Sequence, residues 1–266
     1  MELVDVHAHL IHEQFLGEER ETAICAKAAG LAYVIVNGLD PKSNDDTLAL
    51  CDEFDHLLPA LGIYPVDAIA SEIHKSGTWT YDFPAPTPFD IEAEIKRIDE
   101  RAPKLIAIGE IGLDRYWVKE HWERQEEVFR ALIQVAQKHN KPIIIHSRKA
   151  EARCFEILQE MNVEKADFHC YCGKLKLAQK IAEAGYYLSI PPVVERGESF
   201  QRLVKKLPLS QLLTETDCPY MGPDRDERNE PANVRRGIAA MATARGISVE
   251  EMASAVRENF RRLFGL

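Results

Sequence analysis

Short apolar or β-branched runs recur along the chain at intervals too long for hairpins. They are LVDVHAHL from residue 3, LAYVIVNG from 31, LLPALGIY from 57, LIAIGEIGL from 105, PIIIHSR from 142, ADFHCY from 166, YYLSI from 186 and QLLTETD from 211. Between them lie stretches with apolar residues every three or four positions, such as EEVFRALIQVAQKHN and EARCFEILQEMN. Nearly continuous apolar runs read as strands buried on both faces, and the intervening 3.6-residue period reads as helix. The alternation is that of parallel βαβ units.

Eight such repeats predict an α/β fold, a single (β/α)8 TIM barrel spanning 1–266 as one domain, with extra C-terminal helices after Asp217. The structural rival is an open doubly wound sheet, which would usually carry a glycine-rich phosphate loop after an early strand; the sequence has none. One connection, residues 67 to 90, is unusually long and holds Trp79, Tyr81 and Phe83 among three prolines. Loops after barrel strands lie on the face where barrels build their sites, so this one is either a lid or a surface excursion.

Composition narrows the function classes. At 266 residues and 45% apolar, the chain can bury one sizeable core. Its 33 basic and 43 acidic residues leave a net charge of −10, which argues against an extended basic surface for nucleic acid. A small cationic site stays open, because two bound divalent ions would add about four positive charges to their own pocket. The N-terminus runs straight into a strand-like segment, and no apolar run approaches the ~20 residues of a membrane span, so a soluble chain without a signal peptide is expected. Six scattered cysteines suit reduced thiols in a cytoplasm, and Cys170 and Cys172, spaced C-x-C, read as free thiols rather than a zinc knuckle.

The chemistry gathers at the strand ends. His7 and His9 are two apart at the end of the first predicted strand, so alternation aims both imidazoles at one side. H-x-H alone says little. Its context is that Glu110 closes LIAIGE, His146 closes PIIIH, His169 closes ADFH and Asp217 closes LLTETD. In a barrel these ends converge on one mouth. Any one of these residues read alone is a buried polar group satisfied by backbone; together they read as a metal centre. Four imidazoles and two carboxylates suit Zn, Mn, Co, Ni or Fe, with Mg also open. Six ligands exceed what one open tetrahedral site needs, so two divalent metal ions bridged by Glu110 are expected, with Asp217 orienting a water and taking its proton. That is machinery for hydrolysing phosphodiesters or acyl groups.

Around this centre, Arg148 follows His146 by two residues, which strand alternation puts on the same inward face, and is either a fork for phosphate or one half of an ion pair. Glu215 shares a face with Asp217 and is expected to hydrogen-bond a ligand or water. Tyr116, Trp117 and Trp122 after the fourth strand either stack bases or pack at the rim, the packing role being favoured. Asn229 and Glu230 read as fixing the loop after strand eight, and Pro231 as opening the next helix. His12, His56, His74, His121 and His139 lie off the strand ends and read as solvated or locally bonded.

The segments VDVHAH (4–9), GEIGLD (109–114), IIIHSR (143–148), HCYCG (169–173), ETDCPY (215–220), RNEPANV (228–234) and the closing ENFRRLF together resemble the TatD-type metal-dependent deoxyribonucleases of the amidohydrolase barrel superfamily. The resemblance runs nearly end to end. It implies a TIM barrel, a divalent-metal centre at the six positions named, and exonuclease activity from a DNA 3′ end, with DNA, single-stranded or frayed, as the partner. One departure is Tyr64 in LGIYP, where the family often has histidine; tyrosine can donate a hydrogen bond but carries no positive charge, which bears on substrate choice. Two other functions stay open. One is an ester or amide hydrolase of the same superfamily, such as a D-aminoacyl-tRNA deacylase. The other is a non-enzymatic barrel whose metals are structural.

Overall fold

The computed structural model describes residues 2–266. Eight strands form one parallel sheet in the order β1-β2-β3-β4-β5-β6-β7-β8. They are Leu3–Ala8, Leu31–Asn37, Leu57–Leu61, Ala107–Gly112, Ile143–His146, Ala166–Phe168, Tyr187–Ile190 and Leu212–Thr214. Each of the eight apolar runs supplies one strand, in chain order. The strands β1, β4, β5, β6, β7 and β8 are buried along their whole length, because side chains on one face fill the barrel and those on the other lie under helices.

Ten helices surround the sheet among the described residues: α1 (Glu19–Ala28), α2 (Pro41–Cys51), α3 (Ala70–Ser76), α4 (Ile91–Arg101), α5 (Trp122–Lys138), α6 (Glu151–Glu160), α7 (Leu175–Glu183), α8 (Glu198–Lys206), α9 (Val234–Arg245) and α10 (Val249–Phe264). Local chemistry sets their ends. Asp40 accepts from the Ser43 amide while the Ser43 hydroxyl accepts from the Asp40 amide, and Pro41 opens α2. Ser248 and Glu251 make the same reciprocal pair at α10, which stops at the left-handed Gly265. Helix α5 buries Gln125, Val128, Phe129, Leu132, Ile133 and Ala136, the stripe its 3.6-residue period predicts. Two helices follow β8, as the tail predicts, and α10 lies against the outside of the barrel: Phe260 stacks on Tyr33 of β2 at 5.6 Å, and Asn259 donates to the carbonyls of Leu209 and Leu212.

The barrel closes between β8 and β1 largely through side chains. Thr214 Oγ1 donates to the Val4 carbonyl at 2.7 Å. Asp5, fully buried, accepts from the Thr216 amide at 2.8 Å and the Thr216 hydroxyl at 2.6 Å, and from the His7 amide at 3.2 Å. Just past the strands the Asp217 amide donates to the His7 carbonyl at 2.8 Å, and the His9 amide to the Cys218 carbonyl at 3.0 Å. The seam thus seats Asp217 beside the two histidines of β1. Gly112, at φ +146°, lets β4 pass beside the His146 carbonyl; a Cβ there would strike it.

Residues 67 to 90 are not a free strap. They begin with a 3-10 turn and α3, and Trp79 and Ala85 then pack with Val66, Ile69, Ile73, Val118 and Trp117 in a small apolar cluster of their own. Tyr81 and Phe83 meet Trp117 edge-on at 4.9 and 5.2 Å, and the Tyr81 hydroxyl donates to the Trp117 carbonyl at 3.0 Å. The excursion is therefore tied to the loop after β4. No helix among the described residues is long and apolar enough to cross a membrane.

The seam generates a test. Thr216→Val keeps the shape but leaves a buried Asp5 oxygen without its hydroxyl donor, so a loss of about 1–3 kcal/mol is expected in urea unfolding. A change below about 0.3 kcal/mol would show that the seam does not depend on this contact.

Candidate metal centre

The parallel strands bring His7, His9, Glu110, His146, His169 and Asp217 together at one mouth, all six at or just past the ends of β1, β4, β5, β6 and β8. His7 is fully buried, and His9, Glu110, His146 and His169 are less than a tenth exposed. His7 Nε2 and His9 Nε2 lie 3.0 Å apart. Glu110 Oε2 faces them at 3.3 and 3.4 Å, and Asp217 Oδ1 at 3.8 and 3.6 Å. On the other side Glu110 Oε1 is 2.7 Å from His146 Nδ1 and 3.0 Å from His169 Nε2. One carboxylate thus divides its two oxygens between two groups of nitrogens.

Outer contacts turn three of the imidazoles, while the buried His7 Nδ1 has no hydrogen-bond partner among the described residues. His9 Nδ1 lies 3.2 Å from the Asn37 carbonyl, which can only accept, so Nδ1 carries a proton and Nε2 is the nitrogen turned toward Glu110 and Asp217. His146 Nε2 lies 2.9 Å from Asp114 Oδ2, leaving Nδ1 toward Glu110. His169 Nδ1 faces Glu215 Oε2 at 3.6 Å. Glu215 is fully buried and also accepts from the Cys170 amide at 2.7 Å and from Ser189 Oγ at 2.9 Å, and that hydroxyl lies 2.8 Å from Asp167. Asp114, Asn37, Ser189 and Asp167 were not singled out from the sequence. Asp114 closes GEIGLD and carried a signal in its motif; the other three are read as ordinary strand residues until the fold is known.

The electrostatics call for positive charge. Burial pushes the Glu110 carboxyl up, but the His169 charge and hydrogen bonds from His146, His169 and His7 hold it well below the usual carboxylate range. Burial likewise pushes His9 down, yet hydrogen bonds to Asp217 and Glu110 raise it to about 10. His169 is also raised, against burial, by Glu110 and Glu215. His7, by contrast, is lowered to about 4 by burial and by His169 next to it, and stays neutral. Neutral and protonated imidazoles therefore share the mouth with ionised carboxylates. A divalent cation suits that donor set, and three overlapping trios are compact enough to take one: His7, His9 and Asp217; His7, His169 and Glu215; and Glu110, His146 and His169.

The remaining sequence candidates fall at the rim. Tyr64 packs its ring edge-on to His146 at 4.8 Å, with its hydroxyl 3.4 Å from Asp114 Oδ2. Arg148 is not on the inward face with His146: β5 ends at His146, and Arg148 lies exposed in the turn before α6. It forms no ion pair among the described residues, and its guanidinium lies over the Tyr116 ring at 3.8 Å. Trp122 likewise carries Arg115 at 4.6 Å. These aromatics hold cations, and Tyr116 and Trp117 meet edge-on at 4.8 Å, as the rim reading expects. Asn229 donates to the carbonyls of Thr216 and Tyr220 and fixes the loop after β8, and Pro231 opens a 3-10 turn leading into α9. Three histidines off the strand ends bond across the fold and not only locally in the chain, His56 to the Ala23 carbonyl, His12 to the Tyr220 hydroxyl and His139 to Asp99.

Comparison with known proteins places this arrangement. The profile of the TatD related DNase family matches residues 4–265. Human deoxyribonuclease TATDN3 is 33% identical over 267 residues, covering 98% of this chain and 94% of its own. The metal-dependent hydrolase YabD of Bacillus subtilis is 35% identical over 268 residues, 98% of each chain. Among solved structures, YJJV, a TatD homolog from Escherichia coli, superposes with a TM-score of 0.85 at 25% identity, covering 99% of this chain and 98% of that one. A TatD family hydrolase from Entamoeba histolytica shares the fold with a TM-score of 0.82 at 20% identity, covering 98% and 97%.

The raised His9 and His169 carry protons at pH 7, and a cation can take those nitrogens only by displacing them. Adding Zn or Mn to metal-free protein at pH 7 should therefore release protons, and affinity should fall as the solution is acidified. Calorimetry in two buffers of different ionisation enthalpy reads the proton count directly; a count of zero would contradict this charge assignment.

Proposed function

We infer that this chain, which belongs to the TatD-related DNase family and is a metal-dependent hydrolase of that family, is a deoxyribonuclease that removes nucleotides from single-stranded or frayed DNA 3′ ends, using two divalent ions. The observation that carries the reading is the division of Glu110 between His7 and His9 on one side and His146 and His169 on the other. Under it, His7, His9 and Asp217 would hold one ion, His146 and His169 would hold the other, and Glu110 would serve both. Ions held there supply Lewis acidity, making water nucleophilic near neutral pH and neutralising charge on a phosphate.

The chain's own groups do the rest. Asp217, the least buried carboxylate of the centre, is held ionised against burial by hydrogen bonding to His9 and by the charge of His169. It takes the proton of the attacking water at Oδ1. The Asn37 carbonyl, Asp114 and Glu215 keep His9, His146 and His169 in fixed orientations, so no side chain has to reorganise as charge develops. Burial, with Asp114 and Glu110 nearby, raises the Tyr64 hydroxyl well above its ordinary range. It stays neutral and offers a hydrogen bond, not a charge, to the phosphate. The described cysteines are all free thiols, in keeping with a reducing cytoplasm.

The test is digestion of a 5′-labelled single-stranded oligonucleotide with Mg or Mn, with EDTA, and with Asp217→Asn. A ladder shortening from the 3′ end is expected, abolished by EDTA and slowed about 10²–10⁴-fold in the variant, the range for losing a general base. Intact oligonucleotide with both metal positions filled would overturn the nuclease reading, and release of D-amino acid from charged tRNA under those conditions would replace it with an ester hydrolase.

A further inference from the structure

Arg148 is an exposed cation in a protein whose charge is otherwise negative, −10 in net, and whose surface arginines are widely committed to carboxylates: Arg20 to Glu53, Arg97 to Asp45, Arg124 to Glu92, Arg153 to Glu126. Arg148 has no such partner among the described residues. It is nevertheless held. Its guanidinium lies 3.8 Å from the Tyr116 ring centroid and 5.0 Å from that of Trp117, and its carbonyl accepts from the Arg115 amide at 3.0 Å. An aromatic face orients a guanidinium while leaving its N–H fork free, which reduces the ordering cost of gripping an anion.

The platform beneath it is rigid and joined to the metal centre. Asp114 Oδ1 accepts from the amides of both Tyr116 and Trp117 at 2.7 Å, while its Oδ2 lies 2.9 Å from His146 Nε2. Trp117 is braced from behind by Tyr81 and Phe83. A second cation, Lys119 Nζ, stands 5.7 Å from the same Tyr116 ring, tethered to the carbonyls of Arg115 and Tyr116 at 3.2 and 2.8 Å. The ring thus carries two cations, so what it presents to a ligand is positive charge.

We propose that Arg148, laid across Tyr116 with Lys119 beside it, anchors a non-scissile phosphate of the substrate strand, the one lying one nucleotide inward from the bond that is cut. The proposal rests on the nuclease reading and deepens it. An acidic surface repels a polyanion everywhere except at such points, so this anchor fixes which part of the strand lies at the mouth. It reads charge and not base identity. The preferred substrate is therefore a strand with a second phosphodiester behind the terminal one, and a dinucleotide is a poor one.

The experiment is a cycle between protein and substrate, run on Asp217→Asn to stop cleavage and read as Kd by fluorescence anisotropy. The probes are a short single-stranded DNA and the same strand with one neutral methylphosphonate at the second linkage from the 3′ end. With Arg148 present, neutralising that linkage should weaken binding about 10-fold or more, in line with the loss of a charge-assisted hydrogen bond. Adding Arg148→Gln should weaken the native strand by a similar factor, and the methylphosphonate should then cost less than 2-fold more. Losses that multiply, or a native strand that binds equally well without Arg148, would overturn the anchor. The nuclease reading fails separately: if the unmodified protein leaves the strand uncut while the cycle is non-additive, the anchor stands and the reaction assigned to the site falls.

Discussion

The Glu110 carboxylate presents Oε2 to one pair of imidazoles and Oε1 to another, and the architecture of the mouth follows from keeping it there. A glutamate at the end of β4 can reach both pairs only if β1 curls back across the barrel and β5 and β6 stay in register beside it. Closure of the sheet supplies the first condition and the parallel ladder the second. Leaving a carboxylate so buried would be costly without compensating charge, and its neighbours provide that charge as protons or as cations. The outer contacts of His9, His146 and His169 then act on a common problem: each imidazole must keep one particular nitrogen turned inward.

The barrel and the six convergent residues were legible in the sequence because both depend on position along strands. Apolar runs at regular intervals define the strands, and a polar residue at the end of a run has nowhere to go but the mouth. What the sequence left open depends on turns. Arg148 was placed on the inward face by extending strand alternation two residues past His146, but the strand stops there and the chain turns outward into α6. Asn37 acts through its backbone carbonyl, which no residue identity announces. Ser189 and Asp167 look like strand interiors and become partners of Glu215 only once β6, β7 and β8 lie side by side. For residues 67 to 90 the sequence allowed a lid or an excursion. The structure fastens them to Trp117, a long-range contact that local patterning does not encode.

Asp114 links the two halves of the mouth. One of its oxygens steadies an imidazole of the metal centre and the other holds the turn that carries the rim aromatics and, through Tyr116, Arg148. The separation between the metal-centre imidazole His146 and the rim cation Arg148 is thereby set by one short side chain and not by a flexible loop.

The side-chain seam between β8 and β1 also bears on how the molecule comes into being. His7 and His9 leave the ribosome about two hundred residues ahead of Asp217, whose amide bonds to His7, and of Thr216, which bonds to Asp5. Domains form as their segments emerge, and contacts of such sequence separation come last. Until the eighth strand is synthesised the two histidines have neither their acidic partner nor a closed wall, so a nascent or prematurely ended chain lacks the assembled centre. Hydrolytic competence is in this sense withheld until nearly the whole barrel has been made.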